Sequence, residues 1–171
     1  MHASLDTPSP WVVRWAPLVA RGPVLDAASG TGRHAKLFAA RGLEVVAVDR
    51  DDQSIPGVRF VKADLEDGTP WPFAGQTFGA IVVTNYLHRA LLPTLAASLD
   101  RDGVLIYETF MVGNERFGKP SNPNFLLRPG ELLQAFSALT VVAFEQGTTG
   151  KAVMQRVCAV RGDASRARIS V

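Results

Sequence analysis

The sequence predicts an α/β domain in three layers, with helices on the faces of one mostly parallel, seven-stranded sheet. Three observations carry that expectation. Short apolar runs alternate along the chain with segments of helical spacing, the pattern of strand–helix–strand units. The early runs, "LEVVAVD" and "FGAIVV" among them, are almost continuously apolar, as expected of strands buried on both faces. The last two runs, "TVVAFE" and "VMQRVCAV", are joined by "QGTTGK", which is too short for a parallel crossover and so implies a hairpin with one antiparallel strand.

Each element has its own signature. "WVVRWAPLVA" begins as a short amphipathic helix limited by Pro17, with Trp11 and Trp15 one turn apart on a shared face that packs on the core. Val24 and Leu25 form the first buried strand. The helix over 32–41 spaces Ala35, Leu37, Phe38 and Arg41 along its turns and stops at Gly42. "LEVVAVD" is the second strand, ending in Asp49, and "VRFVKAD" the third, ending in Asp64. Only "RDDQSIPG" links these two, too short for a full covering helix. "FGAIVV" is the fourth strand and runs into Asn85 and Tyr86. A helix follows in "LLPTLAASL", where Pro93 suits only the first turn. The Asp102-Gly103 turn leads into the fifth strand, "VLIYETF". "RPGELLQAFSAL" reads as a helix with Pro129 and Glu131 in its first turn.

Bulk composition narrows the class. A chain of 171 residues fits one domain with a real core, taken here as 11–161 between a flexible leader (1–10) and a flexible tail (162–171). With 47% hydrophobic and 20% charged residues it is ordinary globular material. No apolar run approaches the ~20 residues of a membrane span. The start lacks the charged-then-apolar layout of a secretion signal. A single cysteine, Cys158, excludes an internal disulfide and points to a reducing cytoplasm. Its place in an alternating run predicts a buried thiol rather than a nucleophile. A net charge of +2 permits an anionic partner without demanding one. No metal site is expected.

The functional signal lies at the strand ends. Asp26, Asp49, Asp64, Asn85 and Glu108 all fall where strands finish, and parallel sheets bind ligands at those carboxyl ends. Gly30 to Ala35 fits G-x-G-x-x-[G/A], and Asp49 follows Gly30 by 19 residues, close to the spacing of a dinucleotide site. Two acids argue against a dinucleotide. Asp26 stands in the mouth where a pyrophosphate would sit, and Asp64 ends a third strand where a dinucleotide needs no carboxylate. S-adenosylmethionine reverses both objections, because it carries an ammonium and a sulfonium and no phosphate. Asp49 would then accept hydrogen bonds from the ribose diol and Asp64 one from the adenine amino group. Ala27, Ala28, Gly30 and Gly32 are small enough for the backbone to approach the cofactor closely.

At these residues the chain resembles the class I S-adenosylmethionine-dependent methyltransferases, over roughly 24–160. "VLDAASGTG" matches the family's first motif, Asp49 its second, and "ADLED" its third; the closing hairpin matches its antiparallel seventh strand. The resemblance implies a Rossmann-like methyltransferase fold. It places Asp26, Gly30 and Gly32 at the methionine end, Asp49 at the ribose, and Asp64 and Leu65 at the adenine; Ala28, Arg50 and Asn85 are further candidate cofactor-binding residues. Two positions depart from the family pattern. Ala28 stands where a glycine is usual, tolerable if its φ is negative, and Gly79 stands where Asp is frequent. Among family members the chain is most similar in size to the small tellurite-resistance and thiopurine-type enzymes.

Methyl transfer needs the nucleophile held in line with the leaving sulfur, and a base only if it arrives protonated. Tyr86, His88 and Glu108 are the candidate catalytic residues, all beyond strands four and five. The long connection 111–128 is read as a lid or binding loop. Its Arg116, Phe117, Lys119, Phe125 and Arg128 suit a planar or anionic acceptor, with Arg116, Phe117 and Arg128 the candidate substrate contacts. A small-molecule acceptor is the first expectation. RNA is the alternative, since basic and aromatic residues together also suit single strands. A non-catalytic cofactor-binding module is the third.

Overall fold

The computed structural model describes residues 6–169. Seven strands form one sheet: β1 (Val24–Ala27), β2 (Val45–Asp49), β3 (Arg59–Lys62), β4 (Phe78–Thr84), β5 (Leu99–Phe110), β6 (Thr140–Thr148) and β7 (Val153–Val160). Their order across the sheet is β3-β2-β1-β4-β5-β7-β6. The first five strands pair in parallel, and β7 runs antiparallel between β5 and β6. Strand order reverses between β1 and β4, so the two connections leaving these strands diverge and open a crevice at their carboxyl ends.

Strand alternation decides which layer each residue joins. Leu25, Ile81, Val83, Leu105 and Tyr107 point to one face, where α3 (Leu92–Ala97) and α4 (Glu131–Ala135) cover them with Phe136. Val24, Ala80, Val82, Ile106 and Cys158 point to the other, under α1 (Pro10–Trp15) and α2 (Arg33–Ala40). Trp11 and Trp15 are buried there edge to face, with ring centroids 6.0 Å apart. Cys158 is fully enclosed, and burial pushes its thiol pKa up to about 12, as a structural thiol requires. The links 50–58 and 63–77 contain no helix. Aromatic side chains close the second gap instead: Phe73 packs edge-on against both Trp71 (5.2 Å) and Phe78 (5.4 Å). Among the described residues, no helix is long and apolar enough to cross a membrane.

Four boundaries differ from those the sequence suggests. Residues 1–5 of the expected leader and 170–171 of the expected tail lie outside the described residues, but Ser9 is buried and caps α1 by accepting the Trp11 N–H (3.2 Å). The beginning of the tail packs too, with Ala164 and Ala167 against the α1–α2 face. β5 begins at Leu99 rather than 104, because the residues around Asp102 bulge (φ 60°) and rejoin β4 after a shift in register. The helix expected over 128–139 shrinks to α4, five residues long. Gly130, in left-handed backbone at φ 72°, turns the chain into α4, and the helix stops once Leu132 and Phe136 are buried.

Candidate active site

A cleft of about 540 Å³ crosses the carboxyl ends of β1 to β5, within the ~300–1,000 Å³ usual for small-molecule sites. Of the residues expected to hold a cofactor, Ala28, Gly30, Asp49, Arg50, Asp64, Leu65 and Asn85 line it. Asp49 ends β2 with both oxygens engaged by backbone: Oδ2 accepts the Gly30 N–H (2.8 Å) and Oδ1 the Asp51 N–H (3.0 Å). Each oxygen keeps a lone pair toward the cleft. Asp64 Oδ1 accepts the Glu66 N–H (2.9 Å), which fixes the turn beyond β3. At Gly30, nothing stands within 4 Å of where a Cβ would be, so the glycine leaves open space at the turn.

Asp26 and Gly32 do not line this cleft, which corrects the placement expected for them. Leu25 and Ala27 face α3, so Asp26, between them, must face α2. The turn 28–32 folds back over β1 and brings the first turn of α2 above Asp26. Its Oδ2 there accepts the Ala35 N–H (3.0 Å), a cap supplied from nine residues upstream. Burial raises the Asp26 pKa to about 8, against the lowering effects of the Ala35 N–H and of Arg33. The net effect favours the neutral acid. Gly32 sits at φ 84°, where a Cβ would come within 2.5 Å of the Ile55 side chain, so it serves the packing of α2. Ala28 has φ 54°, so the condition that made it a harmless replacement for glycine does not hold.

The expected catalytic residues separate. Tyr86 lines the cleft, but burial, followed by the charge and hydrogen bond of Glu66, raises its pKa. Burial and the neighbouring acids thus favour the protonated phenol. His88 lies outside the cleft, beside Trp71 and Thr94, with Nδ1 3.6 Å from Glu66. Glu108 points to the α1 face, where Oε1 accepts the Ser9 hydroxyl (2.6 Å) and Oε2 meets Arg156 (2.5 Å). Strand alternation separates it from Thr109, which lines the cleft. His34 belongs to the same buried group. Its Nε2 accepts the Ser9 N–H (2.9 Å) and Nδ1 lies 3.4 Å from the Thr84 hydroxyl, while burial and then the Arg33 charge lower its pKa to about 4.

The basic loop residues also face away. Arg116 Nε donates to the Gly113 carbonyl (3.2 Å), Arg128 is largely exposed with its Nε 3.6 Å from Glu131, and Phe117 projects into solvent. Pro120 and Phe125 are what the loop brings to the cleft, beside Thr109 and Phe110 from β5. Arg89, one of the polar residues that follow β4, ties that loop down. Its Nη1 donates to the Asn124 carbonyl (3.1 Å) and Nη2 to that of Leu126 (2.8 Å), on either side of Phe125. Glu131 grips the same guanidinium through both oxygens (2.7 and 3.0 Å) and also accepts the Arg128 N–H. Burial alone would raise the Glu131 pKa; these donors outweigh it and the net shift is downward. No sequence signal pairs residues 42 apart in this way.

Known proteins show the same architecture. The family described as a methyltransferase domain matches residues 25–105, from β1 into β5. The structure of TehB from Haemophilus influenzae superposes with a TM-score of 0.72 at 13% identity, over 90% of this chain and 62% of that one. The chain thus spans less than two thirds of that protein's length. The 1,6-didemethyltoxoflavin-N1-methyltransferase of Burkholderia thailandensis, solved with S-adenosylhomocysteine, gives 0.63 at 19% identity, over 90% and 76%. Magnesium protoporphyrin IX methyltransferase from Synechocystis PCC 6803, also with S-adenosylhomocysteine, gives 0.63 at 17%, over 88% and 78%. No curated protein sequence matches. Residues 25–105 are thus similar to a methyltransferase domain, and the whole chain shares the fold of these solved structures.

Proposed function

We propose that the chain transfers the methyl group of S-adenosylmethionine to a small-molecule acceptor bound in the cleft. The observation that carries this reading is the line of groups along one sheet edge: Asp64 and Leu65 beyond β3, Asp49 at β2, Ala28 and Gly30 after β1, Asn85 and Tyr86 after β4. Their donor set fits the molecule. Carboxylates suit a ribose diol and an adenine amino group, and a side-chain-free turn suits the methionine portion. When bound, S-adenosylmethionine supplies a methyl carbon made electrophilic by its sulfonium. The protein's part is to hold the two reactants in line and to exclude water, which needs placement more than acid–base chemistry.

Charge supports a small acceptor over RNA. Asp49, Asp51, Asp64 and Glu66 line the cleft against one cation, Arg50, and a phosphate backbone would be repelled there. The two relatives named for their substrates, a toxoflavin precursor and a protoporphyrin, act on small molecules.

Calorimetry with S-adenosylmethionine, S-adenosylhomocysteine, NAD and NADP tests the cofactor, with binding expected for the first two alone. Asp49→Ala should weaken that binding by about 1.5–3 kcal/mol, the range for hydrogen bonds to a charged group. Normal affinity in a folded Asp49→Ala variant would refute the ribose role. Tritium transfer from the labelled donor into fractionated cell extract tests the acceptor. Label in RNA would overturn the small-molecule reading, and no label in any fraction would favour the non-catalytic module.

A further inference from the structure

The half of the cleft beyond Ala28 has a composition of its own. Its walls are Asn85, Tyr86, Thr109, Phe110, Pro120 and Phe125. None of these six is a histidine, lysine, arginine or carboxylate; the acid beside them on the cleft is Glu66, next to Tyr86. Neither His34, bonded to Ser9, nor His88, 3.6 Å from Glu66, lines the cleft. Phe125 is 45% exposed although it sits on the best-anchored part of its loop. Arg89 holds the carbonyls on both sides of it, and Glu131 holds Arg89 with both oxygens. An ion pair of this kind carries a desolvation cost, and here it fixes an aromatic ring that the core does not cover.

We propose that the acceptor is an uncharged aromatic molecule whose reacting atom is a ring nitrogen with a free lone pair, held against Phe125, Phe110 and Tyr86. The proposal rests on the methyltransferase reading and adds the acceptor's class to it. In the transfer, the ring nitrogen's lone pair forms the new N–CH3 bond while the C–S bond breaks. That bond's electron pair stays on sulfur, which becomes a neutral thioether, and the positive charge passes to the ring nitrogen. No proton leaves, so no base is required. The charge of the site is unchanged, and the surrounding carboxylates suit the cationic product as they suited the sulfonium. Arg89 is a positioning residue in this scheme, acting through the backbone around Phe125.

The test uses three probes of one shape: quinoline, 2-naphthol and 2-naphthoate. Calorimetry on the protein with S-adenosylhomocysteine present should show quinoline bound and 2-naphthoate not. With tritiated donor, quinoline should gain label as the N-methyl cation and 2-naphthol should not. Phe125→Ala should weaken quinoline binding about tenfold, the loss expected for an aromatic contact. Arg89→Met should do the same while S-adenosylhomocysteine affinity stays within twofold. Preference for 2-naphthoate, methylation of 2-naphthol, or no quinoline binding at normal S-adenosylhomocysteine affinity would each overturn the proposal. Failure to bind S-adenosylhomocysteine would instead overturn the methyltransferase activity on which it rests.

Discussion

Ala28 and Asn85 end neighbouring strands, line the same cleft, and are both held at φ 54°. Left-handed backbone costs an L-residue about 1–2 kcal/mol; asparagine tolerates it and alanine does not. Glycine at position 28 would remove that cost but add about 0.5–1 kcal/mol of chain entropy. Ala28→Gly should therefore raise stability by about 0.5–1 kcal/mol, read from the urea midpoint at constant slope. A lower midpoint would show that the turn imposes no strain on alanine. The residues differ in how far the sequence revealed them. Asp49 and Asp64 were legible because a strand-end acid needs no tertiary knowledge to be placed. Asp26 looked the same in one dimension, but strand alternation turned it under α2 and gave it the Ala35 N–H instead of the cleft. The pairing of Arg89 with Glu131 was invisible because it exists only once the loop and α4 have folded together.

Elements show a similar division. The succession of strands along the chain and the β6–β7 hairpin were legible from apolar runs and connection lengths, and β7 occupies the predicted 153–160; the order across the sheet was not. The length of α4 and the start of β5 were not, since burial of Phe136 and a bulge at Asp102 set them. Gly79 in β4 lies between these cases. A Cβ there would come within 2.2 Å of the Arg21 carbonyl oxygen, while the Gly79 N–H donates to Pro23 (2.9 Å). The strand and the segment entering β1 touch backbone to backbone, which leaves no room for a side chain at position 79. Gly79→Ala should cost about 1–3 kcal/mol through overpacking, seen as a lower urea midpoint. A wild-type midpoint would mean that the segment around Arg21 yields freely.

Across the whole molecule, two buried groups give stability a particular dependence on pH. Asp26 titrates near 8 in the folded chain against 3.8 as a free side chain, so the folded state holds the extra proton and its stability falls as pH rises through that window. His34 titrates near 4 against 6.5, so the folded state holds fewer protons and its stability rises with pH across that interval. Between about 4 and 6.5 the slopes oppose each other. Above 6.5 only Asp26 remains, and stability should decline by up to about 1.4 kcal/mol per pH unit until pH 8. Urea midpoints from pH 5 to 9 check this, and Asp26→Asn, which keeps the Ala35 contact, should flatten the decline. A decline that persists in Asp26→Asn would assign it to other groups. The position of β7 has a different consequence, in the order of synthesis. In the sheet, β6 neighbours only β7, yet β6 leaves the ribosome first. Until β7 follows, the nascent chain presents two unpaired edges, β6 itself and the outer side of β5. Such edges recruit other strands. A chain cut off near residue 150 would therefore keep both edges open, with the parallel half already able to assemble.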